Sequence, residues 1–503
     1  MLVAVFLSLV PGLVWPQTPP PRSIDDILKI IEQYKPDPQK VERDRAAAAV
    51  QPPDTTDPTE LARFYHQRGR ANGRIGLINR QIADLRLAAE YMKNSPQKAV
   101  MPPDGLGNEI RILFELSNAT GRGGNALNAL RVREELLKRS DHPGTSVATI
   151  ASLVIYELYL GDIAAAKSRF AEMEKYFAQV RMTPAWPAIQ YDQTAHMERT
   201  RANLLAAEGK WLEAERAARA ALANTERDLP LSSSRKNSRP QAEYEGLRDE
   251  DELRVARILA MRGQLAEAEA LARNALRSAL SREGPFTTFS AGALLALARI
   301  VLEQGRLREA SVLAAAAVNA YEKAGVPPEG LGLVGARKAY ANTLMRQGRW
   351  ADADAEFTRA AEGVAKDPEL AARFGTGEVG WGITLVKIGQ AARAVDMLEK
   401  LLARSVEWRG NDDVQTAEVR GYLAIALAAA GQRERAIAEF RRAVPVLLEQ
   451  ARVDVQSESV SSGRSLRLRK VLEGYLNVLL DGSATDAQTI NEAFRLADVA
   501  RGS

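Results

Sequence analysis

From Leu61 onward, apolar residues recur with the 3.6-residue period of a helix, and the period barely lapses before about residue 450. No stretch alternates β-branched and polar residues for long enough to make a sheet strand. Glycines punctuate this pattern. Gly121, Gly161, Gly209, Gly263, Gly305, Gly348, Gly389 and Gly431 are each followed five positions later by alanine: Ala126, Ala166, Ala214, Ala268, Ala310, Ala353, Ala394 and Ala436. A glycine in a tight turn, with a small residue one turn into the next helix, describes two helices packed face to face. Repetition of that unit predicts an all-α solenoid whose units bury their apolar faces only on their neighbours.

Three further positions keep the same register. Seven residues before the glycine, where two helices would cross closely, stand Ala202, Ala256, Ala298, Ala341, Gly382 and Ala424, with Phe114 and Val154 as exceptions. Nine after it, Leu130, Phe170, Phe357, Leu398 and Phe440 supply bulk between units. Twelve after it come Ala221, Ala275, Ala317, Ala360 and Ala443, with Arg133, Met173 and Leu401 as exceptions.

This order of small, turn glycine, small, bulky and small residues resembles the tetratricopeptide repeat (TPR). GRWADADAEFTRAA at 348 and GQRERAIAEFRRAV at 431 are the clearest copies, followed by GKWLEAERAARAAL at 209. A degenerate copy centres on Gly76, with Gly69 and Ala88 in place but Gln81 where alanine belongs. The resemblance covers about residues 61 to 450 and implies a right-handed α-solenoid of about nine helix pairs. Spacings between turn glycines of 40, 48, 54, 42, 43, 41 and 42 exceed the minimal repeat of about 34 residues. The arms are therefore longer, and LPLSSSRKNSRPQ (229–241) and RMTPAWPAIQ (181–190) read as insertions at unit junctions. Asp367-Pro368-Glu369 has the residues of a helix start, as do the turns before 331 and 414.

Outside the array the chain divides further. MLVAVFLSLVPGLVW (1–15) has the length of a signal-peptide apolar core, too short to span a membrane. Residues 1–17 are thus read as a signal peptide and the protein as exported, periplasmic or secreted. An apolar tail on a cytoplasmic protein is the alternative, since no basic residue precedes Arg22. Residues 18–60 read as an amphipathic helix (24–34) and a Pro- and Ala-rich linker carrying one helical piece. Residues 451–503 read as C-terminal helices.

Composition removes several chemistries. The chain has no cysteine and three scattered histidines, His66, His142 and His196, so neither a thiolate nor a metal site is expected. Lys and Arg number 68 against 64 Asp and Glu, and no long block of like charge indicates nucleic acid. The acidic run from Asp249 to Glu252 reads as a solvated helix start, and no nucleophile with a positioned base stands out. No catalytic residue and no cofactor is expected.

In arrays of the family this chain resembles, the first helix of each unit lines a concave groove. Positions ten, six and three before the glycine would face a ligand there. They hold Arg199, Asn203 and Ala206; Leu253, Arg257 and Ala260; Leu295, Arg299 and Leu302; then Lys338, Asn342 and Met345. The later units present Val379, Ile383 and Val386, then Gly421, Ile425 and Ala428. A basic middle groove with amides suits an acidic or C-terminal peptide. The apolar stretch at Val379, Ile383 and Ile425 reads equally as a docking surface or as superhelix core. Arg199/Asn203 and Lys338/Asn342 resemble the first half of the family's carboxylate clamp, but Arg254 and Gly380 stand where its second half would be.

The run EAFRLADVARGS (492–503) looks like the linking helix of CHAT proteins, in which a TPR array precedes a caspase-like peptidase. That resemblance implies a regulatory front part whose catalytic domain lies outside this chain. The residues themselves support a non-catalytic scaffold that binds a protein or peptide, with the oligomeric state left open.

Overall fold

The computed structural model describes residues 23–34, 38–95, 108–123, 125–140, 142–234, 241–456, 462–481, 491–494 and 496. The N-terminal apolar run lies outside these residues, as do the tip of the 229–241 insertion and most of 492–503. All regular structure among the described residues is helical, with no strand. Two leading helices, α1 (Asp25–Gln33) and α2 (Pro38–Ala49), precede nine helix pairs. The first four are α3 (Pro58–Arg74) with α4 (Ile78–Lys93), α5 (Glu109–Arg122) with α6 (Ala126–Arg139), α7 (Pro143–Leu160) with α8 (Ile163–Arg181), and α9 (Trp186–Ala207) with α10 (Trp211–Asp228). The next three are α11 (Gln241–Met261) with α12 (Leu265–Glu283), α13 (Thr288–Glu303) with α14 (Leu307–Lys323), and α15 (Leu331–Arg346) with α16 (Trp350–Ala365). The eighth has a broken first arm, α17 (Pro368–Phe374) and α18 (Val379–Lys387), before α19 (Ala391–Arg409). The ninth pairs α20 (Val414–Ala429) with α21 (Arg433–Gln456), and α22 (Ser462–Leu480) follows.

Local chemistry accounts for the starts and stops. Asp367 accepts the Leu370 N–H at 3.0 Å ahead of Pro368, and Asp413 accepts from Gln415 and Thr416, so both starts are capped by side chains. Seven of the eight sequence-marked glycines have positive φ, as does Gly76. At Gly348 the chain reverses through paired bonds, Gly348 N–H to Met345 O and Arg349 N–H to Leu344 O, both at 3.0 Å. Gly121 is the exception. It lies inside α5, where a methyl group would collide with the Tyr156 ring and hydroxyl. It is therefore small for packing rather than for turning.

The alanines five residues beyond each glycine are all buried, and Ala166, Ala214, Ala268, Ala310, Ala353, Ala394 and Ala436 are completely so. Phe357, Leu398 and Phe440 fill the layer between them. Such an interior is close-packed, with little slack for added volume at the small positions.

The solenoid winds tightly enough for successive turns to touch. A methyl group on Gly325, between the sixth and seventh pairs, would meet Gly76 O of the first pair at 3.2 Å. Leu127, Leu130, Leu153 and Leu160 from the second and third pairs form one buried cluster with Val334, Ala360, Val364 and Leu370 from the seventh and eighth. Arg131 reaches Glu369 at 2.7 Å and Arg373 reaches Glu157 at 3.1 Å along the same seam. Farther on, Arg464 of α22 donates to Met261 O at 3.0 Å. Contacts thus recur five to six pairs apart, and one superhelical turn takes about five pairs. The exposed Arg131 pair contributes about 0–1 kcal/mol, so the apolar cluster dominates the seam.

The leading helix joins the same arrangement. Ile27 of α1 is fully buried against the fifth pair, and Asp26 accepts from Arg273 and Arg277 at 2.5 Å each. First helices pack on one another, α7 on α9, α11 on α13 and α13 on α15, as the inner wall of a superhelix would.

Candidate functional site

The side chains expected along the concave wall divide into engaged and free groups. Arg199 is only 6% exposed and belongs to the core. It donates to both oxygens of Asp251, from Nε at 2.8 Å and Nη2 at 2.7 Å, and to Thr225 at 3.2 Å. Burial pushes the Asp251 carboxyl up, but the Arg199 charge and hydrogen bonds, with help from Arg254 and Thr225, hold it below its ordinary range. Asn203 accepts from Arg254 at 3.1 Å, and Arg254 also bonds to Asp251. A single buried carboxylate thus ties two arginines into one network.

Lys338 and Asn342 are engaged as well. Lys338 donates to Gly377 O at 3.3 Å, lies 3.7 Å from Glu378, and sits 5.0 Å from the Phe374 ring centre. Asn342 donates to Lys338 O at 2.9 Å, and its Oδ1 lies where a Cβ on Gly380 would stand, at 2.3 Å. A side chain at 380 would have to displace the Asn342 amide. Gly380 supplies no second half of a carboxylate clamp here, and at Arg199/Asn203 the first half is consumed by Asp251 and Arg254.

Arg257 and Arg299 differ. Both are exposed, from adjacent first helices α11 and α13, and neither has a hydrogen bond or ion pair among the described residues. Desolvation by the surrounding wall, then the like charge of Arg257, hold Arg299 below the usual arginine range. Solvent reaches the group, yet protein crowds it.

Below this pair lies Tyr321 of α14, a residue that groove-position counting in first helices could not find. Its ring threads between two glycines: a methyl on Gly332 would meet Cε1 at 2.7 Å, and one on Gly292 the hydroxyl at 3.4 Å. Gly332 is the sequence signal for it. Tyr321 is 7% exposed and its hydroxyl has no hydrogen-bond partner among the described residues. Burial, then the hydroxyl of Tyr159, push this phenol up to about 12, while Arg257 and Arg299 pull the other way. Tyr159 belongs to α7 of the third pair and is 57% exposed, so the opposite wall is within electrostatic reach.

The later, apolar positions sit deeper. Ile383 is buried in the C-terminal core, and Val379 and Ile425 are half-buried against it. Ile425 is covered by α22, where a methyl on Gly474 would meet its Cγ1 at 2.8 Å. A separate cleft of about 540 Å³ opens at the seam near Trp408, lined by Arg373, Lys400 and Arg404 but also by Asp162 and Glu407. Among the described residues, no group of His, Cys, Asp or Glu could hold a metal, and no helix is long and apolar enough to cross a membrane.

A tetratricopeptide repeat family model matches residues 374–449, the region of the eighth and ninth pairs. No curated protein matches. Among solved structures, a Podosopora anserina kinesin light chain with nearly identical TPR-like repeats is 20% identical, covering 42% of this chain and 98% of its own, with a TM-score of 0.34. A Rap protein complexed with Competence and Sporulation Factor is 13% identical over 78% of this chain and 99% of its own, with a TM-score of 0.49. The Rap conjugation gene regulator of plasmid pLS20, in complex with the Phr* peptide, is 12% identical over 78% and 96%, with a TM-score of 0.43.

Proposed function

We propose that this protein is a non-catalytic scaffold that holds a protein or peptide segment in the lumen of its superhelix. The observation that supports this most directly is the pair Arg257 and Arg299. They stand exposed on adjacent helices, without a partner, while their neighbours along the wall are tied to Asp251 and Glu378. Two like charges held this close are mutually unfavourable until something of opposite sign covers them. The matched repeat family supports the same reading at the level of architecture.

A selection of peptides from a random library on the folded protein tests it. With a photoreactive benzoylphenylalanine at Leu302 in the lumen, selected peptides cross-link; at Leu212, on α10, they do not. Selection that yields no binder, or binders that cross-link only at Leu212, would sink the proposal.

The finer readings rest on sequence. A regulatory role ahead of a CHAT-type peptidase is supported by the 492–503 run, of which Ala493 and Leu496 pack on the array core. An open reading frame past the Ser503 codon, encoding a His and Cys pair, tests it. Export through residues 1–17 predicts a mature N-terminus beyond residue 17 in an extracytoplasmic fraction; an intact N-terminus in the cytoplasm would refute it.

A further inference from the structure

We infer that Arg257, Arg299 and Tyr321 form a built receptor for a carboxylate, and that the segment held in the lumen is acidic. This inference rests on the lumen-binding reading and names the chemistry of its occupant. Three donors come together, and the one carboxylate that bears on Arg299, Glu378, is already shared with Lys338. The two guanidinium groups come from α11 and α13, and the Tyr321 ring lies against α15 in space that is open because residue 332 is glycine, with its hydroxyl in contact with Gly292 of α13. A tyrosine with a buried ring normally finds a hydrogen-bond partner for its hydroxyl. The Tyr321 ring is more than nine-tenths buried, while its hydroxyl, which no described group engages, is not shut off from solvent and is open to a ligand. Its proton stays on at neutral pH, because its pKa lies far above 7, so it can only gain by donating. Charge-assisted bonds to an oxyanion would satisfy all three groups together and remove the repulsion between the arginines.

Charge along the wall favours a peptide over a nucleic acid. Arg199, Arg254 and Lys338 are already matched by Asp251 and Glu378, which leaves one anion-sized site rather than a basic track spaced for successive phosphates.

Fluorescein-labelled hexaglutamate and hexaglutamine, titrated by anisotropy into the full chain, test the inference. Hexaglutamate should bind at least tenfold more tightly. R257Q/R299Q should abolish that preference with unchanged thermal unfolding, and Y321F should reduce it several-fold. R442Q/R452Q on the exposed surface of α21 should leave it intact. A preference that survives R257Q/R299Q, or absence of hexaglutamate binding, overturns the acidic-segment inference. Binders from the random library that still cross-link at Leu302 would then leave the lumen reading standing. Inorganic phosphate that displaces hexaglutamate at its own stoichiometric affinity would make this a small-anion site, and tighter binding of oligothymidylate would make it a nucleic-acid site. Either result also overturns the inference.

Discussion

Arg199 and Asp251 form a bidentate ion pair across two repeat units, from α9 to α11, with the carboxylate wholly inside the protein. The pair takes the position where a groove arginine would meet ligand and turns it into a joint between units. Thr225 of α10 completes the joint by donating to Asp251 at 2.7 Å.

Removing the carboxylate should be costly. Asp251→Ala leaves Arg199 and Arg254 as buried, uncompensated charges, and should destabilise the array by about 3–5 kcal/mol in denaturant unfolding. Arg199→Met/Asp251→Leu should recover most of that loss, since an apolar replacement of both partners is often nearly neutral. A single Asp251→Ala variant with full stability would refute the joint.

Acid should unfold the N-terminal units through Glu115. Burial pushes this carboxyl up, but its bond to His66 at 3.1 Å, with His66, Arg70 and Arg111 nearby, brings it to about 2. A folded pKa below the ordinary 4.5 stabilises above pH 4.5, and the contribution is lost as pH falls from 4.5 towards 2. Its size is on the order of 2–3 kcal/mol. Glu115→Gln should flatten unfolding free energy over that window; an unchanged acid limb would contradict the assignment.

Glu252 should act with the opposite sign. Burial foremost raises it to about 7, with Asp249 and Glu226 adding to the effect and Arg248 opposing it. A carboxyl whose pKa is raised on folding costs stability as pH climbs from 4.5 to 7. Glu252→Gln should therefore raise the unfolding temperature at pH 8 and have little effect at pH 4. Equal shifts at both values would argue against it.

Two turn glycines separate backbone strain from the seam between superhelical turns. Gly161 and Gly209 have φ of 88° and 77°, so alanine at either should cost roughly 1–2 kcal/mol. At Gly209 nothing lies within 4 Å of the new methyl, whereas at Gly161 it would strike Trp408 at 2.4 Å. Gly161→Ala should be the more destabilising, and Trp408→Ala should relieve the excess. Equal melting temperatures for the two alanine variants would count against the contact.

Inside a unit, the register itself is testable. Ala353 is fully buried, and Ala353→Leu should cost about 1–3 kcal/mol through overpacking. Undiminished thermal stability would be incompatible with the face-to-face packing of α15 on α16.

Much of this architecture was legible in the chain. The turn glycines, the alanines five residues on and the helix starts at Asp367 and Asp413 are local signals, and the structure places them as turns, buried contacts and caps. The groove was legible only in part. Counting back from the glycine selected Arg199, Arg257, Arg299 and Lys338 alike, because spacing along a helix sets a direction but not a partner. Gly121 shows the same limit: its sequence context resembles a turn, yet Tyr156 thirty-five positions away determines its role.

By itself, the sequence determined the helical period, the paired-helix unit and the small residues where helices cross, since each depends on neighbours within about one repeat. Tertiary structure alone decided how tightly the solenoid winds, that pairs five apart share the Leu127–Leu370 cluster, and which basic residues are spent. Those outcomes depend on side chains distant in sequence. Asp251 neutralises Arg199 from 52 positions away, while Arg257 and Arg299 stay exposed and act on Tyr321.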